Sequence, residues 1–371
     1  MDFKPVDDLI AKAIEEGVFP GAAYAIGHKG KEVYRQAKGR HTYCPESLPT
    51  TVETVWDLAS VSKVVGTTTG AMILLDQKKL DFDLQVSEII PEFAQNGKSK
   101  ITVRNLLLHD SGLAAFRPYH ETLKTPEDLL KTVYAEKLAY PTGTKMVYSD
   151  LGMIVFGKTV EKLGGRTLPA FLNEHVFDPL QMGTTQYSPV MQLRERCAPT
   201  ETIDPWRLKL RELRGSNTKE IHDLERQPDS TSWIKGEVHD PTAMVLGGVA
   251  GHAGLFSTVG DLSNFMSMMM AKGGELVKKE TIELFTKRQT DRSSRGLGWD
   301  TNQGHEASAG AKFSEASFGH TGYTGTCVWG DFEHEIFAIL LTNRVHPTNE
   351  NTKIIAFRKR FHDSVYKAIC G

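Results

Sequence analysis

Strand-like sequence lies at both ends of this 371-residue chain and helical sequence fills its middle, which limits the folds open to it. Val6 to Glu16 places Val6, Leu9, Ile10, Ala13 and Ile14 on one helical face, and Gly17 and Pro20-Gly21 stop it. Ala22 to Ile26 and Lys31 to Tyr34 then read as two strands joined by Gly27-His28-Lys29-Gly30, a hairpin. From about residue 64 to 195 helical patterns take over, in Leu84 to Phe93, Val103 to His109, Pro126 to Ala135, Ile154 to Leu163 and Leu168 to Val176. After residue 296 strands return, Cys327 to Trp329 and Ile336 to Thr342, before a last helix from about Thr352 to Ala368. The pattern predicts an α+β fold, an antiparallel sheet flanked by N- and C-terminal helices plus an inserted helical region. Residues 1–65 and 240–371 are expected to form a discontinuous sheet domain and 66–195 a mainly helical one. The polar, charged stretch 196–239, with Arg207 to Arg214, reads as an irregular insertion or lid.

The charge balance argues against a nucleic-acid or anionic-membrane partner. Net charge is −2, and the short basic clusters Lys278-Lys279 and Arg358-Lys359-Arg360 read as solvated helix faces. No stretch approaches the roughly 18 to 20 apolar residues of a spanning helix; Ile336 to Leu341 is strand-length. Met1-Asp2-Phe3-Lys4-Pro5 lacks a charged region followed by an apolar core, so no signal peptide is expected. That predicts a cytoplasmic protein, or a periplasmic or secreted one whose leader has been removed. Cys44, Cys197, Cys327 and Cys370 are widely spread with no Cys-x-x-Cys pair, so they read as free thiols. Neither a metal nor an organic cofactor is implied.

Ser60-Val61-Ser62-Lys63 carries the chemistry. A hydroxyl and an amine three residues apart share one face of a helix that starts near Ala59, which activates a weak nucleophile without histidine. The bare pattern recurs at Ser216/Lys219, Ser232/Lys235 and Ser364/Lys367, but only the Ser60 copy follows strand-like sequence and enters an apolar helix. Tyr148-Ser149-Asp150 follows the turn Pro141-Thr142-Gly143-Thr144 and opens another helix. His320-Thr321-Gly322 precedes a strand, and its glycine is expected to let substrate approach the backbone, leaving the next N–H as a donor.

In these three motifs, in this order, the chain resembles the serine β-lactamase and penicillin-binding-protein superfamily. It is most similar to the class-C-like serine hydrolases, which include esterases, D-aminopeptidases and low-molecular-weight carboxypeptidases. Leu106 to Leu113 and Gly251 to Thr258 add local likeness, and the resemblance runs from about Pro20 to Asn343. It implies a β-lactamase/transpeptidase-like fold with the active site between sheet and helical region. Ser60 would be the acylated nucleophile, Lys63 with Tyr148 the base system, and the N–H groups of Ser60 and Tyr323 the oxyanion hole. Substrates would be small esters, amides, peptides or β-lactams, most plausibly carboxylic esters or D-amino-acid amides. A DD-peptidase, a weak β-lactamase, and a sensor that is acylated without turnover are the alternatives.

Two departures from the family pattern shape the expected mechanism. Asp150 stands where asparagine is usual; a carboxylate beside Lys63 favours its ammonium form, which moves the base role toward Tyr148. A helix N-cap is the other reading of Asp150. His320 stands where lysine is usual and offers no permanent charge for a substrate carboxylate, which favours esters and peptides over β-lactams. Asn343 and Arg344 are candidates to replace that contact, beside Thr321 and Gly322 in the substrate site. Phe116, Tyr119, Trp233 and Trp299 are candidate lining of the acyl pocket. His109 is expected to pack in its turn, Ser62 to make a supporting hydrogen bond, and His239, Asp240 and His252 to belong to backbone-bonded loops.

Overall fold

The strands of the main sheet fall toward the two ends of the chain, as the pattern predicts, and two short strands, Gln186–Tyr187 and Leu255–Ser257, lie between them. The computed structural model describes residues 1–215, 232–303 and 307–371. Its strands are β1 (Gly21–His28), β2 (Lys31–Gly39), β3 (Trp56–Asp57), β4 (Gln186–Tyr187), β5 (Leu255–Ser257), β6 (Asp300–Thr301), β7 (Ser317–Thr321), β8 (Cys327–Asp331) and β9 (Ile336–Thr342). Six form one antiparallel sheet in the order β2-β1-β9-β8-β7-β6, which joins N-terminal β1 to C-terminal β9 at its centre. The turn between β1 and β2 is shorter than expected. Lys29 and Gly30 both have positive φ, as a two-residue hairpin loop requires, while Gly27 and His28 stay in the strand beyond a bulge.

Period-two alternation dresses the two faces of this sheet differently. Ala22, Tyr24 and Ile26 of β1, with Ile336, Ala338 and Leu340 of β9, pack beneath the terminal helices Lys4–Glu15 and Ile354–Cys370. The intervening Ala23, Ala25, Ile339 and Leu341 join the larger core that extends into the helical region. The three-stranded sheet β3-β5-β4 runs into the Ser60 segment, because Leu58 donates to Leu255 O at 2.9 Å. Among the described residues, no helix is long and apolar enough to cross a membrane.

The stretch expected to be irregular contains a helix, Pro205–Leu213, with proline in its first turn. Arg207 and Arg211 are buried on it and both reach the Glu237 carboxylate, at 3.1 and 2.7 Å. Arg207 also donates to Val238 O and His239 O. Those bonds hold the described part of the segment as a fixed wall. The Ser216/Lys219 pattern lies outside the described residues.

One close approach of backbones sets the spacing around the candidate site. A Cβ on Gly251 would lie 2.1 Å from Met153 O and 2.8 Å from Gly157 Cα. The helix Asp150–Gly164 and the loop carrying His252 therefore touch through two glycines. Gly251→Ala is expected to lose about 3 kcal/mol in urea unfolding by overpacking. Gly183→Ala, with open space around it, serves as the neutral control.

Candidate active site

Ser60 sits where the chain turns from β3 into a helical run over residues 61–76. Ala59, just before it, has φ +46, a left-handed conformation that a non-glycine residue holds only when its surroundings impose it. Asp57 imposes it, accepting the Ala59 N–H at 2.8 Å. The run opens with a widened π turn, Lys63–Thr68, a local irregularity often found at functional sites. Lys63 has no exposed surface, and its ammonium meets three acceptors: Ser60 Oγ at 2.9 Å, His252 O at 2.9 Å and Asp150 Oδ1 at 2.7 Å. Burial alone would lower the Lys63 pKa, but Asp150 and Tyr148 outweigh it and hold it above the ordinary lysine value. Ser62 Oγ accepts the Leu255 N–H at 3.1 Å, the supporting bond expected of it.

His109 aims Tyr148. Its carbonyl accepts the Val147 N–H at 2.8 Å, its Nδ1 accepts the Ser149 N–H at 3.1 Å, and its ring lies 4.7 Å from the Tyr148 ring. Ser149, not Asp150, caps the following helix by accepting from Gly152 N. Asp150 is thus the first helical residue, free to face Lys63. Lys63 Nζ lies 4.8 Å from the Tyr148 ring centre and Arg295 Cζ 5.1 Å from it, so two cations face one phenol. The Tyr148 hydroxyl is buried and has no hydrogen-bond partner among the described residues.

His320 Nδ1 lies 2.8 Å from Thr321 O. A carbonyl only accepts, so Nδ1 carries the proton. Burial, then the charges of Arg295 and Lys63, push the His320 pKa well below its ordinary value, leaving the ring neutral. The permanent charge near the third motif comes instead from Arg295, which sequence reasoning missed. Its Nε and Nη1 are buried without a hydrogen-bond partner among the described residues. It immediately precedes Gly296-Leu297-Gly298-Trp299, and only its place opposite Tyr148 in space marks it out.

Gly322 also serves a packing purpose that the sequence did not show. A Cβ there would lie 2.5 Å from Leu58 O and 2.1 Å from Thr326 Oγ1, so glycine lets the end of β7 press against the Ser60 segment. Thr324 and Thr326 hydroxyls tie the two together through Asp57 O and Leu58 O, at 2.7 and 2.9 Å. Among the described residues, the N–H groups of Ser60 and Tyr323 donate to no backbone carbonyl. Such a pair suits an oxyanion hole.

Two cavities of about 470 and 490 Å³ meet at Ser60, Tyr148 and Tyr323. The first is lined by Arg295, His320, Thr321 and Gly322, with Arg344 and Arg358 behind. Arg344 is committed to the backbone, donating to Tyr323 O, Asn349 O and Asn351 O. Asn343 is not brought to the cavity; its amide bonds His41 O and Pro199 O. The second cavity is lined by Phe116 and Asp150, and by His120 and Trp206, which sequence reasoning did not single out. Tyr119 points to Glu136, Trp233 packs on His346, and Trp299 is buried against Phe265 and Phe318. His239 and His252 bond the carboxylates of Glu201 and Asp240 rather than backbone.

Known proteins are similar to this chain over most of their length. A Bacillus subtilis (strain 168) protein named N-acetylmuramyl-L-alanine amidase is 32% identical across 92% of this chain and 81% of its own. An Escherichia coli (strain K12) protein named as a D-alanyl-D-alanine carboxypeptidase is 28% identical across 92% of this chain and 82% of its own. In fold the chain is similar to EstCE1, a hydrolase with promiscuous acyltransferase activity, at a TM-score of 0.75 and 22% identity over 98% of both chains. The β-lactamase family pattern matches residues 6–360, so the chain belongs to the β-lactamase family of serine hydrolases.

Proposed function

We propose that the protein is a serine amidase that works through an acyl-enzyme on Ser60 and releases an amino acid bearing a free carboxylate. The triple coordination of the Lys63 ammonium carries this reading. With all three acceptors filled and its pKa held high, Lys63 donates to Ser60 Oγ and has no lone pair to take its proton. Tyr148, with its hydroxyl unpartnered among the described residues and two cations over its ring, is left as the proton acceptor.

In the first step Ser60 Oγ bonds to the amide carbonyl carbon and Tyr148, acting as a phenolate, takes the hydroxyl proton. The carbonyl oxygen, now negative, is held by the N–H groups of Ser60 and Tyr323 and by the positive end of the helix that starts after Ser60. Tyr148 returns its proton to the departing nitrogen as the C–N bond breaks. Water then attacks the ester and repeats the cycle, with Tyr148 again the acceptor. The departing amino acid lies on the Arg295 side of Tyr148, where the unpartnered guanidinium suits a carboxylate. Both curated relatives are named for bonds to alanine, which supports an amino acid as the leaving group. The same machinery transfers acyl groups from esters, and the neutrality of His320 keeps that second reading alive.

Ser60→Ala is expected to lower turnover of an N-acyl amino acid by about 10³-fold or more. Tyr148→Phe is expected to lower kcat/KM by about 10²- to 10⁴-fold; near-normal acylation in this variant with a dead Lys63→Ala would reverse the two roles. Asp150→Asn removes the charge that offsets burial of Lys63, so the ammonium releases its proton at lower pH. Activity needs that ammonium and falls as pH rises through its pKa. The alkaline limb of kcat/KM therefore moves down in the variant, and an unmoved limb would remove Asp150 from this role. Arg295→Leu is expected to cut the preference for a free carboxylate over its carboxamide analogue by about 30-fold, read as a ratio of kcat/KM values.

A further inference from the structure

We infer that the first cavity takes a dicarboxylic amino acid as the leaving group, with its second carboxylate received beside Arg358. The inference rests on the acyl-enzyme reading, which puts the leaving group beside Arg295 and hence the acyl group across Tyr323. The two cavities that meet there are opposite in charge. Four carboxylates line the second, those of Asp150, Glu201, Asp204 and Asp240. Three arginines line the first, Arg295, Arg344 and Arg358, and no aspartate or glutamate does so among the described residues.

One carboxylate on Arg295 leaves two of these charges unanswered. Arg344 and Arg358 are each only 7% exposed, and neither forms an ion pair among the described residues. Arg358 Nη2 donates to Gly322 O at 2.7 Å and Thr326 O at 2.9 Å, while its Nε is buried with no acceptor among the described residues. Arg344 donates to the carbonyls of Tyr323, Asn349 and Asn351. A carbonyl satisfies a donor without cancelling its charge. Glu201 bears on Arg344 from the second cavity, but its oxygens are engaged by His239 and Asn349. Burial, and also the charge of Arg344, work against the Arg358 cation. An anion beside the pair offsets both costs, and a corner lined by cations alone concentrates anions before any contact forms.

Size and lining narrow that anion to a side-chain carboxylate. A cavity of about 470 Å³ has room for one amino acid. Ile354 and Ile355 also line it and suit the methylene groups between two carboxylates. A leaving group with one carboxylate uses Arg295 and gains nothing from Arg358. The reaction remains a hydrolysis: the C–N bond breaks, Tyr148 returns its proton to the nitrogen, and water supplies the oxygen of the released acid.

The test compares the N-acetyl derivatives of glutamate, glutamine and alanine, each as L and D forms. Glutamine matches glutamate in size and lacks only the charge. Wild-type protein is expected to favour N-acetylglutamate over N-acetylglutamine by about 30-fold in kcat/KM, mostly through KM. Arg358→Gln is expected to reduce that ratio below about threefold, and Arg358→Lys to hold it near about tenfold. Equal kcat/KM values for the two in the wild type, a preference for N-acetylalanine over both, or a glutamate preference that survives Arg358→Gln would overturn the proposal. Turnover that persists in Ser60→Ala would instead overturn the acyl-enzyme reading. Calorimetry of Ser60→Ala separates the two and needs no turnover. N-acetylglutamate bound about 30-fold more tightly than N-acetylglutamine supports the site, and equal affinities, or no binding of either, refute it. The wild-type ratio and the calorimetry decide the matter even where Arg358→Gln does not fold.

Discussion

An ammonium with no exposed surface must find acceptors, and Lys63 recruits them from three separate segments. Ser60 comes from its own helix entrance, Asp150 from the first turn of a second helix, and His252 O from a glycine-rich loop. The Gly157–Gly251 approach lets the last two come close enough to share one cation. Removing one partner of a buried ion pair costs about 3–5 kcal/mol, so the same contact that fixes the reactive geometry also joins the segments. An asparagine at position 150 would still orient an amide toward Lys63 but would leave the buried charge unanswered. The carboxylate thus makes Lys63 a fixed cation.

Fixing that charge has a consequence at the third motif. Lys63, Arg295 and Arg358 all bear on His320, and with burial they keep its ring neutral. A lysine at this position would add another positive charge to an already cationic corner. The neutral ring and the unpartnered Arg295 are therefore two sides of one arrangement. The permanent charge near the third motif is that of Arg295, whose guanidinium carbon lies 5.1 Å from the Tyr148 ring centre.

The fold was legible because its signals are local and periodic: alternation in β1 and β9, helical spacing in the terminal helices, and glycine at the hairpin. Ser60, Lys63 and Tyr148 were legible because the motifs preserve their order along the chain, and the structure brings all three together. What the chain order hid depends on contacts between distant segments. Arg295 has no spacing signal, since it reaches Tyr148 from 147 residues away. Asn343 looked available after a strand, yet its amide ties two buried carbonyls. Gly322 was singled out for access of substrate to the backbone, and only the packed structure shows Leu58 O beneath it as well. Trp206 and His120 lie in polar surroundings whose amphipathic pattern is short, so the wall they build was not foreseeable.

The insertion is tied to the reacting centre by more than proximity. His239 stacks on Tyr323 with ring centres 5.6 Å apart, and its N–H donates to Asp57 Oδ2 at 2.6 Å. The other Asp57 oxygen holds the strained Ala59 N–H. One buried carboxylate thus links the insertion to the turn that presents Ser60, while the stacked imidazole braces the residue expected to complete the oxyanion hole. A rearrangement of the insertion to fit a different acyl group would pull on both N–H donors at once. Asp57 thus couples the wall of the second cavity to the turn that presents Ser60.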